Sequence, residues 1–273
     1  MRLAYQGEPG AYSEAAALLF SPHAETLPCK TFDEVFDAVM QKRATHGVVP
    51  MENSIGGTIH RNYDLLVDHD IAITGEVELD VVHCLQALPG TKLEDVKVVY
   101  SHPQALAQCE HYLKDLGATV EAVYDTAGGA KLVAEQRLAG AAALASRRAA
   151  DVFGLEVIQE AVQDFEFNIT RFFVIGGTPP TDANKTTIVF ALPSTPGSLF
   201  KALSVFALRD INLSKLESRP IRGKPWEYLF YVDIDARRDE LPLARALTQL
   251  GEFAKWTRVL GTYRGWERKP SPS

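Results

Sequence analysis

Apolar and polar positions switch between two regimes along the first two thirds of the chain. "RLAYQG" is a short apolar run that predicts a strand, and "AYSEAAALLF" after it predicts a helix. "TFDEVFDAVMQKR" carries apolar residues at helical spacing, with Thr31 and Glu34 spaced as a capping box. "HGVVP" predicts a strand that enters "ENSIGG" and then a helix over "TIHRNYDLLVDH". The alternation continues as "VKVVYS" with "HPQALAQCEHYLKDLG", "VEAVYD" with "TAGGAKLVAEQRL", and "GAAALAS" with "RRAADVFG". Strand-then-helix order of this kind predicts an α/β domain with mostly parallel sheets. Two passages lack a helical period: "TGEVELDVVHCLQALPG" predicts a long strand, and "LEVIQEAVQD" is similar. Together they predict two lobes, with the chain crossing once outward and once back. Lobe one is expected at 1–76 and 160–178, and lobe two at 77–159.

The pattern changes after "GGTPPTDANK", where Gly, Pro, Thr and Asp cluster between two apolar strands. The boundary is expected to leave a first domain at 1–178, a linker at 179–185, a second domain at 186–265 and a tail at 266–273. The second domain reads "KTTIVFALP", "GSLFKALSVFALRD", "INLSKLESRPI", "EYLFYVDIDA", "LPLARALTQLGEFA", "WTRVLGTY". That is a ferredoxin-like βαββαβ order. So small a module leaves a sheet edge to cover, and pairing with another copy predicts an oligomer.

Composition narrows the function. The chain has 273 residues, 46% of them hydrophobic, and a net charge of −7, with no basic patch that would mark a nucleic-acid partner. Cys29, Cys84 and Cys109 are scattered, which fits a reducing compartment and not a disulfide framework. No run approaches the length of a membrane span, and the start lacks an apolar signal segment, so a soluble cytoplasmic protein without membrane partners is expected. No His/Cys spacing suggests a metal site.

Small polar residues gather where predicted strands end. Gln6 and Ser13, Glu52 to Ser54, Ser101 and His102, Asp125 and Thr126, and Ser146 all lie there, just ahead of helices. In open α/β sheets that edge forms the ligand crevice, and helix N-termini offer N–H groups to anions. Each residue taken singly reads as a helix cap. "NITRFFVIGG" places Asn168, Thr170 and Arg171 at the mouth of a strand that is otherwise core-like. If the chain returns to lobe one there, Thr170 faces the groove between lobes.

The blocks "AYQGEPGAYSEAA", "PMENSIGGTIHRNYDLL", "SHPQALAQC", "DTAGGAK", "NITRFF" and "ESRP", in this order, resemble the bacterial prephenate dehydratases that carry a C-terminal ACT regulatory domain. The resemblance runs from the first block to "VLGTY", and departs from the family at Met51, where Ile is more usual. It implies a two-lobed catalytic domain like that of type II periplasmic binding proteins, followed by an ACT domain. It implies loss of CO2 and water from prephenate to give phenylpyruvate, with no metal or organic cofactor. Plant arogenate dehydratases look alike, so arogenate is an alternative substrate. A non-catalytic amino-acid sensor is the alternative of another class.

The resemblance makes Thr170 of the "TRF" motif the catalytic residue, helping the ring hydroxyl leave through a hydrogen bond with a relay behind it. Arg171 is expected either to hold a substrate carboxylate or to form a structural ion pair. Glu52 is expected to feed the relay or to orient Thr170, and His102 to act as acid, base or carboxylate holder, or to be a satisfied histidine. His60, His83 and His111 read as structural. Asn53, Ser54, Gly56, Thr126, Asn168 and Phe172 are the substrate-binding candidates, each with a cap, turn or core role as the plainer alternative. For the ACT domain the resemblance implies L-phenylalanine as effector, bound in a homodimer or homotetramer. The candidates there are Pro196, Gly197 and Leu199 at a helix start, Asn212, Leu213 and Ser214, and Glu217, Ser218, Arg219 and Pro220 of the "ESRP" block.

Overall fold

The computed structural model describes residues 1–221 and 223–267. The expected tail lies mostly outside them. The described residues form two compact units, one of residues 1–65 and 77–174, the other of residues 66–76 and the described part of the chain from 175 on.

Two α/β lobes make up the first unit, with their residues 66–76 and 175–176 falling in the second. Lobe one begins with β1 (Arg2–Gln6), α1 (Tyr12–Phe20), β2 (Glu25–Cys29), α2 (Phe32–Met40), β3 (His46–Asn53), the short β4 (Gly57–Thr58), α3 (His60–Asp68) and β5 (Ile73–Asp80). β1 runs parallel to both β2 and β3, as buried strand–helix repeats require. Thr31 Oγ1 accepts the Glu34 N–H at 3.2 Å to start α2. The Glu34 carboxylate accepts the Lys30 N–H, one residue short of the expected capping box.

Lobe two follows: β6 (Cys84–Ala87), β7 (Val98–Ser101), α4 (Pro103–Gln108), α5 (Glu110–Leu116), β8 (Thr119–Ala122), α6 (Thr126–Glu135), β9 (Ala141–Ala145), α7 (Arg147–Phe153) and β10 (Glu156–Gln159). Its sheet has the order β10-β6-β9-β7-β8. The pairs of β7 with β8 and β9 are parallel, whereas β6 runs antiparallel to β9 and β10. The chain then returns to lobe one as β11 (Ile169–Gly176), between β3 and β5 in the order β5-β11-β3-β1-β2.

Three expectations change here. The single long strand expected over "TGEVELDVVHCLQALPG" is β5 and β6, broken at 81–83. There the Val81 N–H goes to Asn168 O, the His83 N–H goes to Gln163 Oε1, and His83 O accepts from Val162 N. The outward crossing thus bonds to the return crossing instead of continuing a ladder. The strand expected over "LEVIQEAVQD" likewise stops at Gln159, before Ala161 at φ 53°. The single helix expected over "HPQALAQCEHYLKDLG" is α4 and α5, divided at Cys109, because Gln108 O accepts from Asp164 N on the return crossing.

The lobes are bonded through the β1–α1 loop. Asp125 Oδ2 accepts the Glu8 N–H at 2.9 Å, Ser146 Oγ donates to Gly10 O at 2.6 Å, and Arg148 Nε meets Glu14 at 2.7 Å. Gly10 has φ +90°, and a Cβ there would lie 2.7 Å from Ala149 Cα.

The second unit contains β12 (Lys185–Ala191), α8 (Ser198–Ala207), β13 (Leu213–Pro220), β14 (Tyr228–Ile234), α9 (Leu241–Phe253) and β15 (Trp256–Arg264). The order β13-β14-β12-β15 is that of a ferredoxin-like sheet, with β13 at its edge among the described residues. Ile188, Phe190, Val232 and Ile234 pack on Val205 and Phe206 of α8 and on Leu243 and Leu250 of α9. β15 also pairs in parallel with the start of β5, Gly261 against Ile73. An added Cβ at Gly261 would overlap the Ile73 backbone. Gly261→Ala is therefore expected to cost about 1–3 kcal/mol, read as a lowered urea midpoint at unchanged slope.

Candidate active site

The site is built where β3 and β11 end beside the lobe crossings, within the first unit. Residues that alternate along a strand face opposite ways. On β11 this divides the "NITRFF" block: Thr170 and Phe172 line a cavity of about 160 Å³, and Arg171 turns to the other face. Thr170 is only 8% exposed, yet it opens on that cavity. On β3, Asn53 reaches the same cavity, while Glu52 turns away to meet Arg171 Nε at 2.8 Å.

The Asn53 carboxamide organises the polar end. Its Oδ1 accepts the N–H groups of Ile55 at 3.1 Å and Gly56 at 2.7 Å. Its Nδ2 donates to Asn168 Oδ1 at 2.7 Å, and its second hydrogen is directed to Thr170 Oγ1 at 3.0 Å and Ile169 O at 3.2 Å. Asn168 is buried and donates in turn to Gln108 Oε1 at 3.0 Å. Gln108 Oε1 also lies 2.9 Å from His83 Nε2, and His83 Nδ1 lies 2.9 Å from the Tyr12 hydroxyl.

Pro50, Ile59, Val81, Ala105 and Phe172 supply the apolar wall of the cavity. Ser13, His102, Gln104 and Thr126 complete the polar part. Among the described residues this wall holds no lysine, arginine, aspartate or glutamate.

Several sequence expectations are redistributed. Glu52 and Arg171 sit together on the face opposite Thr170, so neither a Glu52 relay to Thr170 nor an Arg171 grip inside this cavity fits; strand alternation is the reason. Arg171 also stacks 5.0 Å over the Phe173 ring, and its Nη2 lies 3.4 Å from the Tyr63 hydroxyl. Ser54 clips β3 to the return crossing, its Oγ accepting from Ile169 N at 2.9 Å. Gly56 backs onto Gln104, whose side-chain amide would have to shift to admit a Cβ. His102 lines the cavity, and its Nδ1 also caps α4 by accepting from Gln104 N at 3.2 Å. Asp125 and Ser146 do cap helices, accepting from Ala127 N and Ala149 N, and they bond lobe one as well. His83, taken as structural from sequence, lines the cavity, as do Tyr12, Gln104 and Gln108. Gln104 and Gln108 lie one helical turn apart in "HPQALAQ", a spacing that places both on one face of the helix.

In the second unit, Gly197 precedes α8 at φ +78°, flanked by exposed Pro196 and half-exposed Leu199. Asn212 Nδ2 and Ser214 Oγ both donate to the Asp235 carboxylate, at 2.5 and 2.8 Å, a partner the sequence did not suggest. An irregular register between Leu213 and Lys215 places Leu213, Leu216 and Ser218 opposite the core residues Ile234, Val232 and Phe230. Glu217 and Arg219 therefore face the other way, and the "ESRP" candidates through Pro220 are spread over both faces of β13.

A prephenate dehydratase family model matches residues 3–180, and an ACT domain model matches residues 186–252. The chain belongs to the prephenate dehydratase family. Arogenate dehydratase/prephenate dehydratase 2, chloroplastic, of Arabidopsis thaliana is 50% identical over 96% of this chain and 72% of its own length. A prephenate dehydratase from Arthrobacter aurescens, solved in complex with L-Phe, superposes with TM-score 0.87 at 30% identity, covering 97% of this chain and 90% of that one. The structure of GqqA, described as a novel type of quorum quenching acylase, gives TM-score 0.90 at 35% identity over 97% and 98% of the two chains. Family membership fixes the ACT architecture and a dehydratase of the lyase type. Among the described residues, no helix is long and apolar enough to cross a membrane.

Burial holds the imidazoles of His83 and His102 below the ordinary histidine value, with Gln108 opposing the shift at the first and Asp125 at the second. Below about pH 6.5 the unfolded chain then binds protons that the folded protein refuses. The resulting stability is complete above that pH and is lost as pH falls toward the lower folded values. The urea midpoint is expected to drop between about pH 7 and pH 5.5, and His83→Gln to flatten that dependence.

Proposed function

We propose that the protein converts prephenate to phenylpyruvate, with Thr170 assisting departure of the ring hydroxyl. The Asn53–Thr170 hydrogen bond carries this reading. Asn53 donates to Thr170 Oγ1 at 3.0 Å, which leaves the threonine's own proton free to point into the cavity. In the reaction the ring C–CO2 bond breaks and its electron pair enters the ring. The ring C–O bond breaks, and the departing oxygen takes up a proton. The prephenate dianion plus one proton becomes the phenylpyruvate monoanion, CO2 and water. Aromatisation drives the step, and a directed hydrogen bond lowers the cost of expelling hydroxide. An uncharged, partly apolar wall favours a carboxylate losing its charge as CO2.

Arogenate is the second reading, supported by the Arabidopsis relative that is named for both activities. It differs by an ammonium group where prephenate has an oxo group. A cavity wall without a carboxylate favours the oxo acid, since a desolvated ammonium needs an anionic or strong acceptor partner. An acylase activity, named for one structural relative, would call for a base at the Thr170 hydroxyl; Asn53 there is an amide donor. Residues 1–178 form the catalytic domain in this proposal, 179–185 the linker and 186–265 the regulatory domain. The ACT domain takes L-phenylalanine, with copies paired through the β13 edge in a dimer or tetramer. Three free, buried thiols suit a reducing compartment, taken here as the cytoplasm.

Assaying both substrates decides between the readings: kcat/KM is expected to favour prephenate, and a large preference for arogenate would reverse the assignment. Thr170→Val is expected to fold with an unchanged melting temperature and to lose about 10²–10⁴ in kcat. Gly197→Leu is expected to raise the phenylalanine concentration for half-inhibition at least about tenfold at unchanged basal turnover, because Leu strains the left-handed start of α8.

A further inference from the structure

The hydrogen-bond chain behind Thr170 has a definite polarity. A backbone N–H can only donate, so the Asn53 atom facing Ile55 N and Gly56 N is its oxygen. Its NH2 end must then donate, so the Asn168 atom 2.7 Å away is Oδ1. The Asn168 NH2 group is thereby turned to Gln108, whose atom 3.0 Å away must be Oε1. Gln108 Nε2 falls 3.4 Å from Asn53 Oδ1, consistent with the same assignment. The His83 Nε2 atom 2.9 Å from Gln108 Oε1 meets an acceptor and must carry hydrogen. Burial shifts His83 toward the neutral imidazole, in which Nδ1 has a lone pair. The Tyr12 hydroxyl lies 2.9 Å from that nitrogen and 2.8 Å from Val82 O, so its single proton is shared between these two acceptors.

We propose that Tyr12 and His83 are positioning residues for the dehydration, holding Gln108 in the one amide orientation that keeps Asn53 donating to Thr170. The inference rests on the dehydratase reading of this cavity. Neither residue bonds Thr170. They fix the far end of the chain, as the Ile55 and Gly56 amides fix the near end. His83 lies on the outward crossing, tied to the return crossing through Gln163 Oε1 and Val162 N, so the imidazole itself is held in place. Removing its N–H leaves Gln108 Oε1 with one donor fewer and frees the amide to rotate, which loosens Asn168 and Asn53 in turn.

Two measurements on the full chain test this. Nitrogen-15 NMR of histidine-labelled protein, assigned by the loss of signals in His83→Gln, is expected to show neutral His83 protonated at Nε2. Protonation at Nδ1 alone, or at both nitrogens at neutral pH, overturns the inference whether or not the protein turns over prephenate. In kinetics, Tyr12→Phe and His83→Leu are expected to lower kcat by about 5–100-fold with KM within about threefold. His83→Gln, whose amide N–H reaches toward the same oxygen, is expected to recover much of the loss. Unchanged kcat in Tyr12→Phe and His83→Leu, beside an active unmodified protein, sinks the positioning role and leaves the dehydratase reading intact. No turnover of either substrate by the unmodified protein sinks that reading, and the positioning role with it.

Discussion

Two backbone amides set the chemistry of this cavity. The N–H groups of Ile55 and Gly56 hold Asn53 by its oxygen, and from that one fixed end the direction of each side-chain hydrogen bond toward Thr170, Asn168, Gln108 and His83 follows. Side-chain amides are ambiguous in isolation, because their two ends have nearly the same shape. Here the ambiguity is removed by the turn between β3 and β4. Gly56 lies in that turn, where a Cβ would meet the end of the Gln104 side chain.

The alternation of β3 and β11 divides the polar residues at their ends into two groups. Asn53 and Thr170 face the uncharged cavity, and Glu52 and Arg171 neutralise each other on the far side. Charges close to the cavity are thus paired elsewhere. The cavity is left with oriented dipoles, which in the proposed dehydration cost little reorganisation as charge moves from a carboxylate to a departing oxygen. The lobes close around it through bonds to the β1–α1 loop, where the caps of α6 and α7 each serve a second partner.

Much of this was legible in the sequence. The strand–helix alternation, the two-lobe plan and the βαββαβ order follow from apolar periodicity, and the family follows from blocks such as "PMENSIGG" and "NITRFF". Thr170, Asn53, Asn168 and Phe172 came from those blocks. What sequence could not show is direction. Nothing in "MEN" or "TRF" tells which neighbour faces the groove until the register of β3 and β11 is known, so the pairing of Glu52 with Arg171 away from Thr170 was not legible. His83 was passed over because its role depends on where two crossings bond, contacts made far apart in the chain. The break of the helix at Cys109 has the same origin, a carbonyl claimed by Asp164 from 56 positions away in contact with Gln108.

The central claim is that Asn53 donates to Thr170, so that the threonine donates to substrate. Asn53→Asp keeps the side-chain shape and the bonds from Ile55 and Gly56 but replaces the donor with an acceptor, which draws the Thr170 proton away from the cavity. Steady-state kinetics of this variant with prephenate tests the claim most directly. A fall in kcat of about 100-fold or more is expected, in a protein that melts cooperatively. A kcat within about threefold of the unmodified protein would contradict it.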